Sequence, residues 1–220
     1  VITAEPLSKP AFLLFHDLDG NSRIKLYADR IEGYLARKLS VIVLVPDKEA
    51  IERMRSALEP RFGQAVCVLV REGKEEITQW TKIRNTHPVV AIATRSGVFA
   101  PVQNPGCIIV DEEQDYAYKQ DQTPHYHSRT TAVMRCKIEH CDFIAGSASP
   151  SLEMMHAVAS GEIGIQAIQR QRPYPLIRIV DMKKLPLVST RQKITISGYV
   201  QDAISGMLAA KGKSLVFFNR

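Results

Sequence analysis

Three consecutive carboxylates, Asp111-Glu112-Glu113, stand directly after the apolar run CIIV at residues 107–110. A short run rich in β-branched residues reads as a strand buried on both faces. Acids at its end belong at the C-terminal edge of a parallel sheet, where open α/β folds bind their ligands. In nucleoside triphosphatases the first such acid holds Mg2+, usually through water, and the second positions the attacking water. A solvated acidic turn closing a strand is the plain alternative, and this stretch alone leaves both open.

The second place where chemistry could sit is the segment from Asp17 to Ile24. A strand expected over residues 11–16 leads into the turn-rich DLDGNS. A helix follows, with Ile24, Tyr27, Ala28, Ile31, Leu35 and Leu39 at helical spacing and Asn21 or Ser22 as N-cap. Strand, loop, helix is the layout of a phosphate-binding loop, where backbone N–H groups cradle phosphate while Lys and Ser/Thr reach phosphate and Mg2+. No G-x-x-x-x-G-K-[ST] occurs in the chain, and Asp17 and Asp19 put negative charge where phosphate would rest. As a triphosphate cradle the loop is degenerate.

The elements that would position these residues alternate. Further strands are expected at residues 41–45, 65–70, 88–93, 142–146, 176–180 and 214–218. Helices are expected from Asp47 to Leu58, over 75–84, over 128–139, from Ser151 to about Ala159, and from Ser197 to Ala210. This alternation makes the chain an α/β protein with a parallel sheet and flanking helices. Trp80 shares helical spacing with Ile77 and Ile83, so a core role is favoured over stacking on a base. Thr94, Arg95 and Ser96, at a strand end, suit phosphate-backbone contacts or a plain cap beside a solvated arginine. Ser147, Ala148 and Ser149, at another strand end, either couple a nucleotide to a nucleic acid or form an ordinary N-cap run.

At 220 residues, with 45% hydrophobic and 24% charged residues, the chain is globular and holds one domain plus part of another. The chain opens on Val1 and closes on Arg220 after an apolar run, the look of a piece of a longer protein. No apolar run is long enough to cross a bilayer and no leader pattern opens the chain, so no membrane partner is expected. Four cysteines without regular spacing suggest a reducing, cytoplasmic setting. His125, His127, His140, Cys136 and Cys141 match no common zinc spacing, so no metal site is assigned. The net charge of +6 is uneven: residues 166–220 carry ten Lys/Arg against two Asp/Glu. A polyanion partner or surface lysines kept for solubility would account for it.

Five separated segments then line up with one family. They are TRSGVFAP (94–101), IIVDEEQDYAYKQ (108–120), PHYHSRTTAV (124–133), GSASPSLE (146–153) and LVFFNR (215–220). Together they resemble the primosomal replication-restart helicases, the primosomal protein N prime (PriA) family of helicase superfamily two. The combination of Asp-Glu-Glu with Tyr118-Lys119-Gln120 and Tyr126-His127 carries the resemblance. Gln114 alone does not, because a transcription-repair translocase shares DEEQ.

The resemblance implies RecA-like lobes: lobe one over residues 1–165, a linker over 166–175, and the beginning of lobe two over 176–220. It also implies ATP and Mg2+ as cofactors, 3′-to-5′ movement on single-stranded or forked DNA, other primosome proteins as partners, and a cytoplasmic, nucleoid-associated location. Asp111 and Glu112 match the Mg2+-linked and water-positioning acids, and Gln114 stands where the family commonly has His. Ser147, Ala148 and Ser149 match the coupling motif, and Thr94, Arg95 and Ser96 a DNA-contacting segment. Against the family's G-S-G-K-T this chain has Gly20, Asn21, Ser22, Arg23 and Ile24, and Thr130 replaces an acid. The family's zinc site lies outside these residues. The expectation is a DNA-binding helicase core whose ATPase is lost. An active helicase with an atypical nucleotide site using Arg23 or Lys25, and a non-enzymatic primosome scaffold, are the alternatives.

Overall fold

The computed structural model describes residues 11–17, 20–70, 73–168, 176–181 and 196–217. Leu18, Asp19 and the side chain of Asp17 lie outside the described residues, as do residues 169–175 of the expected linker and the basic stretch 182–193. The chain divides into two compact units, Val1–Arg170 and Gln171–Arg220.

The first unit is a seven-stranded parallel sheet with helices on both faces. Its strands are β1 (Phe12–Asp17), β2 (Ser40–Leu44), β3 (Val66–Leu69), β4 (Val90–Ala93), β5 (Pro105–Asp111), β8 (Asp142–Ser147) and β9 (Gly164–Ile168), in the order β3-β4-β2-β5-β8-β1-β9. The helices are α1 (Gly20–Ala36), α2 (Lys48–Phe62), α3 (Gly73–Asn85), α4 (Ser128–Glu139) and α5 (Leu152–Ala159). A two-stranded antiparallel ribbon, β6 (Lys119–Gln120) with β7 (Tyr126–His127), projects between β5 and α4.

The unbroken apolar runs follow from burial on both sheet faces. Successive side chains of a strand point to opposite faces. Ile42, Leu44, Ile108 and Val110 therefore join one core with Ile83, Cys136 and Met154. Val41, Val43, Cys107 and Ile109 join a second core with Ile31 of α1 and Ile51, Met54 and Leu58 of α2. Asp47 caps α2 by accepting the N–H of Ala50 at 2.7 Å. Trp80 is half-buried and packs against the first core, the structural role its spacing favoured.

Strand β9 was not foreseen. Its segment, GIQAI, separates its two isoleucines and so lacks the unbroken apolar run of the inner strands, yet it pairs in parallel with β1 from Leu13↔Gly164 to Asp17↔Ile168. An edge strand needs no apolar outer face, which is why its pattern is weak.

In the second unit α6 (Gly198–Ala209) forms as expected, capped by Ser197, which accepts the N–H of Val200. Among the described residues the flanking strands expected at 176–180 and 214–218 are not seen: residues 176–180 and 214–217 carry no ladder, and Leu176, Ile179, Leu215 and Phe217 are almost fully exposed. An apolar run becomes a buried strand only where neighbours pair with it and cover it. Among the described residues of this unit a single helix is present to do so.

Candidate functional site

The residues singled out from sequence come from four strand ends of the first unit. Because all seven strands run parallel, these ends share one edge of the sheet, the ligand-binding edge of open α/β folds. The order β5-β8-β1 brings the end of β5, the end of β8 and the start of α1 side by side. Thr94, Arg95 and Ser96 follow β4, two strands away from β5.

Gly20 already belongs to α1, so the five residues Gly20 to Ile24 form its first turns. Helical periodicity then aims Arg23 and Tyr27, four apart, at one place. Arg23 is 1% exposed, and its Nε donates to Oδ1 of Asp111 at 3.0 Å. Its Nη2 donates to Oε1 of Glu112. The Tyr27 hydroxyl donates to the same Oδ1 of Asp111 at 3.0 Å. Ile24, at the position of the missing hydroxyl, is buried in the second core.

Electrostatics follow the geometry. Burial pulls the Arg23 guanidinium toward its neutral form, but Asp111, Tyr27 and Glu112 outweigh it and raise its pKa, so it stays charged. Burial pushes the Asp111 carboxyl above its usual range, with Arg23 opposing through charge and hydrogen bond. Burial, then Asp111, pushes the Tyr27 hydroxyl well up, so it remains a donor. The hydroxyl of Tyr118 fixes the same corner by donating to the Asp111 carbonyl at 2.5 Å.

Glu112 has a left-handed backbone, φ 49°, which costs a non-glycine residue on the order of 1 kcal/mol. Its second oxygen accepts Nε2 of Gln114 at 2.9 Å, and Oε1 of Gln114 accepts the Ser147 hydroxyl at 2.5 Å. Ser147 in turn accepts the N–H of Ser149 at 2.9 Å. Gly146, which pairs with Asp111 across β5 and β8, has to be glycine: a Cβ there would meet the Tyr27 hydroxyl oxygen at 1.6 Å.

Glu113, the third acid, takes no part in this cluster. Fully buried, it accepts Nη1 of Arg129 at 2.5 Å and both the N–H and the hydroxyl of Ser151, at 2.7 and 2.9 Å. Arg95 places Nη1 against the carbonyls of Ala117 and Lys119 at 3.3 and 3.1 Å, and its own carbonyl accepts the Ser128 hydroxyl. The Thr94–Ser96 segment is thereby tied to the loop after β5. Among the described residues no group of three or more His, Cys, Asp or Glu side chains is placed to hold a metal. No helix among them is long and apolar enough to cross a membrane.

Tyr27, Arg129, Ser151 and Tyr118 were not assigned to the site from sequence. The i, i+4 spacing of Arg23 and Tyr27 was the available signal for one of them; the others depend on which strands become neighbours.

The DEAD/DEAH box helicase family profile matches residues 25–158, well over half of the chain. The chain belongs to the DEAD/DEAH box helicase family. The match begins one residue beyond Gly20–Ile24, the stretch most unlike a phosphate-binding loop. Within the family the chain is similar to replication restart protein PriA. It is 32% identical to that of Synechocystis sp. over 99% of this chain and 27% of the relative. It is 34% identical to that of Chlamydia muridarum over 94% of this chain and 28% of the relative. It is also 29% identical to that of Bacillus subtilis over 94% of this chain and 26% of the relative. The chain thus spans little more than a quarter of the length of these relatives, as a partial PriA-like helicase domain.

Solved helicase structures share the fold. The C-terminal domain of S. cerevisiae Dbp5 superposes with a TM-score of 0.51 at 13% identity, over 72% of this chain and 89% of that one. The Pyrococcus furiosus Hef helicase domain gives 0.51 at 16% identity, over 72% of this chain and 35% of that one. The sheet is RecA-like.

Proposed function

We propose that this chain is the DNA-contacting helicase core of a replication-restart protein of the PriA kind, with its ATPase site closed by its own side chain. The observation that carries this reading is the Arg23 guanidinium, buried between Asp111 and Glu112. Helicases of this family use ATP and Mg2+ in general. Here the carboxylates that would serve Mg2+ face an internal cation, one oxygen of Asp111 accepts two hydrogen bonds, and the hydroxyl position is occupied by a core isoleucine. The residues present do not fit a magnesium nucleotide, and phosphoryl transfer depends chiefly on such charge stabilisation.

DNA contact is assigned to Thr94, Arg95 and Ser96, held against the loop after β5, and coupling to Ser147, Ala148 and Ser149. Single-stranded or forked DNA and other primosome proteins are the partners, in the cytoplasm at the nucleoid, and residues 176–220 begin a second RecA-like lobe. ATP turnover and magnesium-dependent ATP binding, with and without single-stranded DNA, test the reading. No stimulated hydrolysis and no saturable ATP binding are expected; hydrolysis that is stimulated by DNA and abolished in Asp111→Ala overturns it.

The second reading, an active helicase with an atypical nucleotide site, draws on Lys25, which is exposed one residue beyond Ile24. Saturable ATP binding lost in Lys25→Ala as well as Asp111→Ala is its signature. A scaffold that binds no DNA is the outcome if association is undetectable even at low salt, where phosphate contacts strengthen steeply.

A further inference from the structure

The cluster around Asp111 is built to hold a cation, and the chain supplies the cation itself. Arg23 reaches both carboxylates with different nitrogens, Nε to Asp111 and Nη2 to Glu112. The planar guanidinium fork meets the two acceptors with nitrogens set apart from each other, a geometry the single nitrogen of an ammonium does not reproduce. Glycine backbone closes around the side chain on two sides. A Cβ on Gly20 would lie 3.7 Å from Arg23 Nη2, and one on Gly146 would lie 3.0 Å from Arg23 Cδ.

The hydrogen bonds beyond it share one direction. Ser149 N–H donates to Ser147, Ser147 to Gln114, and Gln114 to Glu112, where Arg23 also donates. Glu112 is the acceptor on which both arms converge. Its carboxylate position therefore sets where Gln114, Ser147 and the backbone of Ser149 sit, and Arg23 sets the carboxylate.

We infer that Arg23 is a resident replacement for an exchangeable cation, fixing the Ser147 side chain at the end of β8 and the turn on to Ser149 in one arrangement through Glu112 and Gln114, with no ligand required. This rests on the reading of the nucleotide site as closed. Truncating the side chain leaves a polar cavity between two carboxylates and the Tyr27 hydroxyl. A space of that chemistry does not stay dry, and it selects a small cation: guanidinium by shape, or Mg2+ by charge.

The test uses the whole chain and two variants, Arg23→Ala and Arg23→Lys. Thermal unfolding is followed in millimolar guanidinium chloride, far below denaturing concentrations, in magnesium chloride, and in sodium chloride of matched ionic strength. The wild-type Tm is expected to ignore all three. Arg23→Ala is expected to melt lower and to regain at least ~2 °C, saturably, with guanidinium or Mg2+ but not with sodium. Absence of any ion-specific recovery overturns the inference. Hydrogen exchange at the Ser149 amide is read in parallel, and remains available in Arg23→Lys should the alanine variant not fold. An acceleration of about tenfold or more in either folded variant is expected; exchange at the wild-type rate overturns the inference. ATP turnover by the wild-type chain reports separately. Turnover sinks the closed-site reading whatever the ions do, whereas failed rescue without turnover sinks only the role given to Arg23.

Discussion

Two arginines, one buried and one partly exposed, meet three consecutive acids, and they do different things. Arg23 comes from the start of α1 and holds Asp111 and Glu112 at the ligand edge of the sheet. Arg129 comes from α4 and holds Glu113, which also accepts both donors of Ser151 at the start of α5. The left-handed residue Glu112 lies between the two clusters. The second pair joins α4 and α5 to the end of β5 and touches no residue that the family resemblance assigns to chemistry. On the function proposed above, the first stands where the Mg2+-linked acids of the family would meet an exchangeable cation. Similar chemistry thus serves as a clamp on one side of a turn and as a plug on the other, and the position on the sheet edge decides which.

The sharpest way to separate them is to delete each cation. Arg129→Met leaves Glu113 fully buried and without its counter-ion, so a loss of about 3–5 kcal/mol is expected in urea unfolding. No added ion should restore it, since the Glu113 pocket is already filled by Ser151. An Arg129→Met protein as stable as wild type would remove the clamp from the comparison.

A smaller effect tests how tightly the plug is packed. Gly146→Ala places a methyl on the Tyr27 hydroxyl, and overpacking of this kind costs about 1–3 kcal/mol. Tyr27→Phe removes the blocking oxygen, so the double variant should fall short of the sum of the two single losses. Strict additivity in the same unfolding assay would mean that the two sites do not meet as described.

The smallest effect is a pH dependence on the clamp side. His127 lies two residues before Arg129, and its buried Nδ1 has no hydrogen-bond partner among the described atoms. Burial, then the charge of Arg129, holds its pKa below the ordinary value. A depressed histidine favours the neutral form when folded, so its contribution is complete above about pH 6.5 and is lost as pH falls below it. Tm measured from pH 8 to pH 5 should drop more for wild type than for His127→Gln. Parallel curves would count against the assignment.

Most of the framework could be read from the residues. Strands with unbroken apolar runs, such as those containing 41–44 and 107–110, and helices with strong periodicity announce themselves, because burial on both faces or on one stripe leaves a regular pattern. Strand β9 could not be read that way, since a five-residue edge strand with neighbours on one side only carries no unbroken apolar run. The two apolar runs flanking α6 misled in the opposite sense: high strand propensity did not make a ladder without neighbours.

The candidate site divides along the same line. The absence of a phosphate-binding lysine and hydroxyl at Arg23 and Ile24 is a property of the residues, and no fold could supply groups the chain does not contain. What those residues do instead was settled by the strand order. Residue 23 and residue 111 are 88 positions apart, and only the adjacency of β1, β8 and β5 brings the guanidinium to the carboxylate. Side-chain type fixes which charges exist, whereas the distance between them, and hence whether they cancel, is a property of the folded sheet.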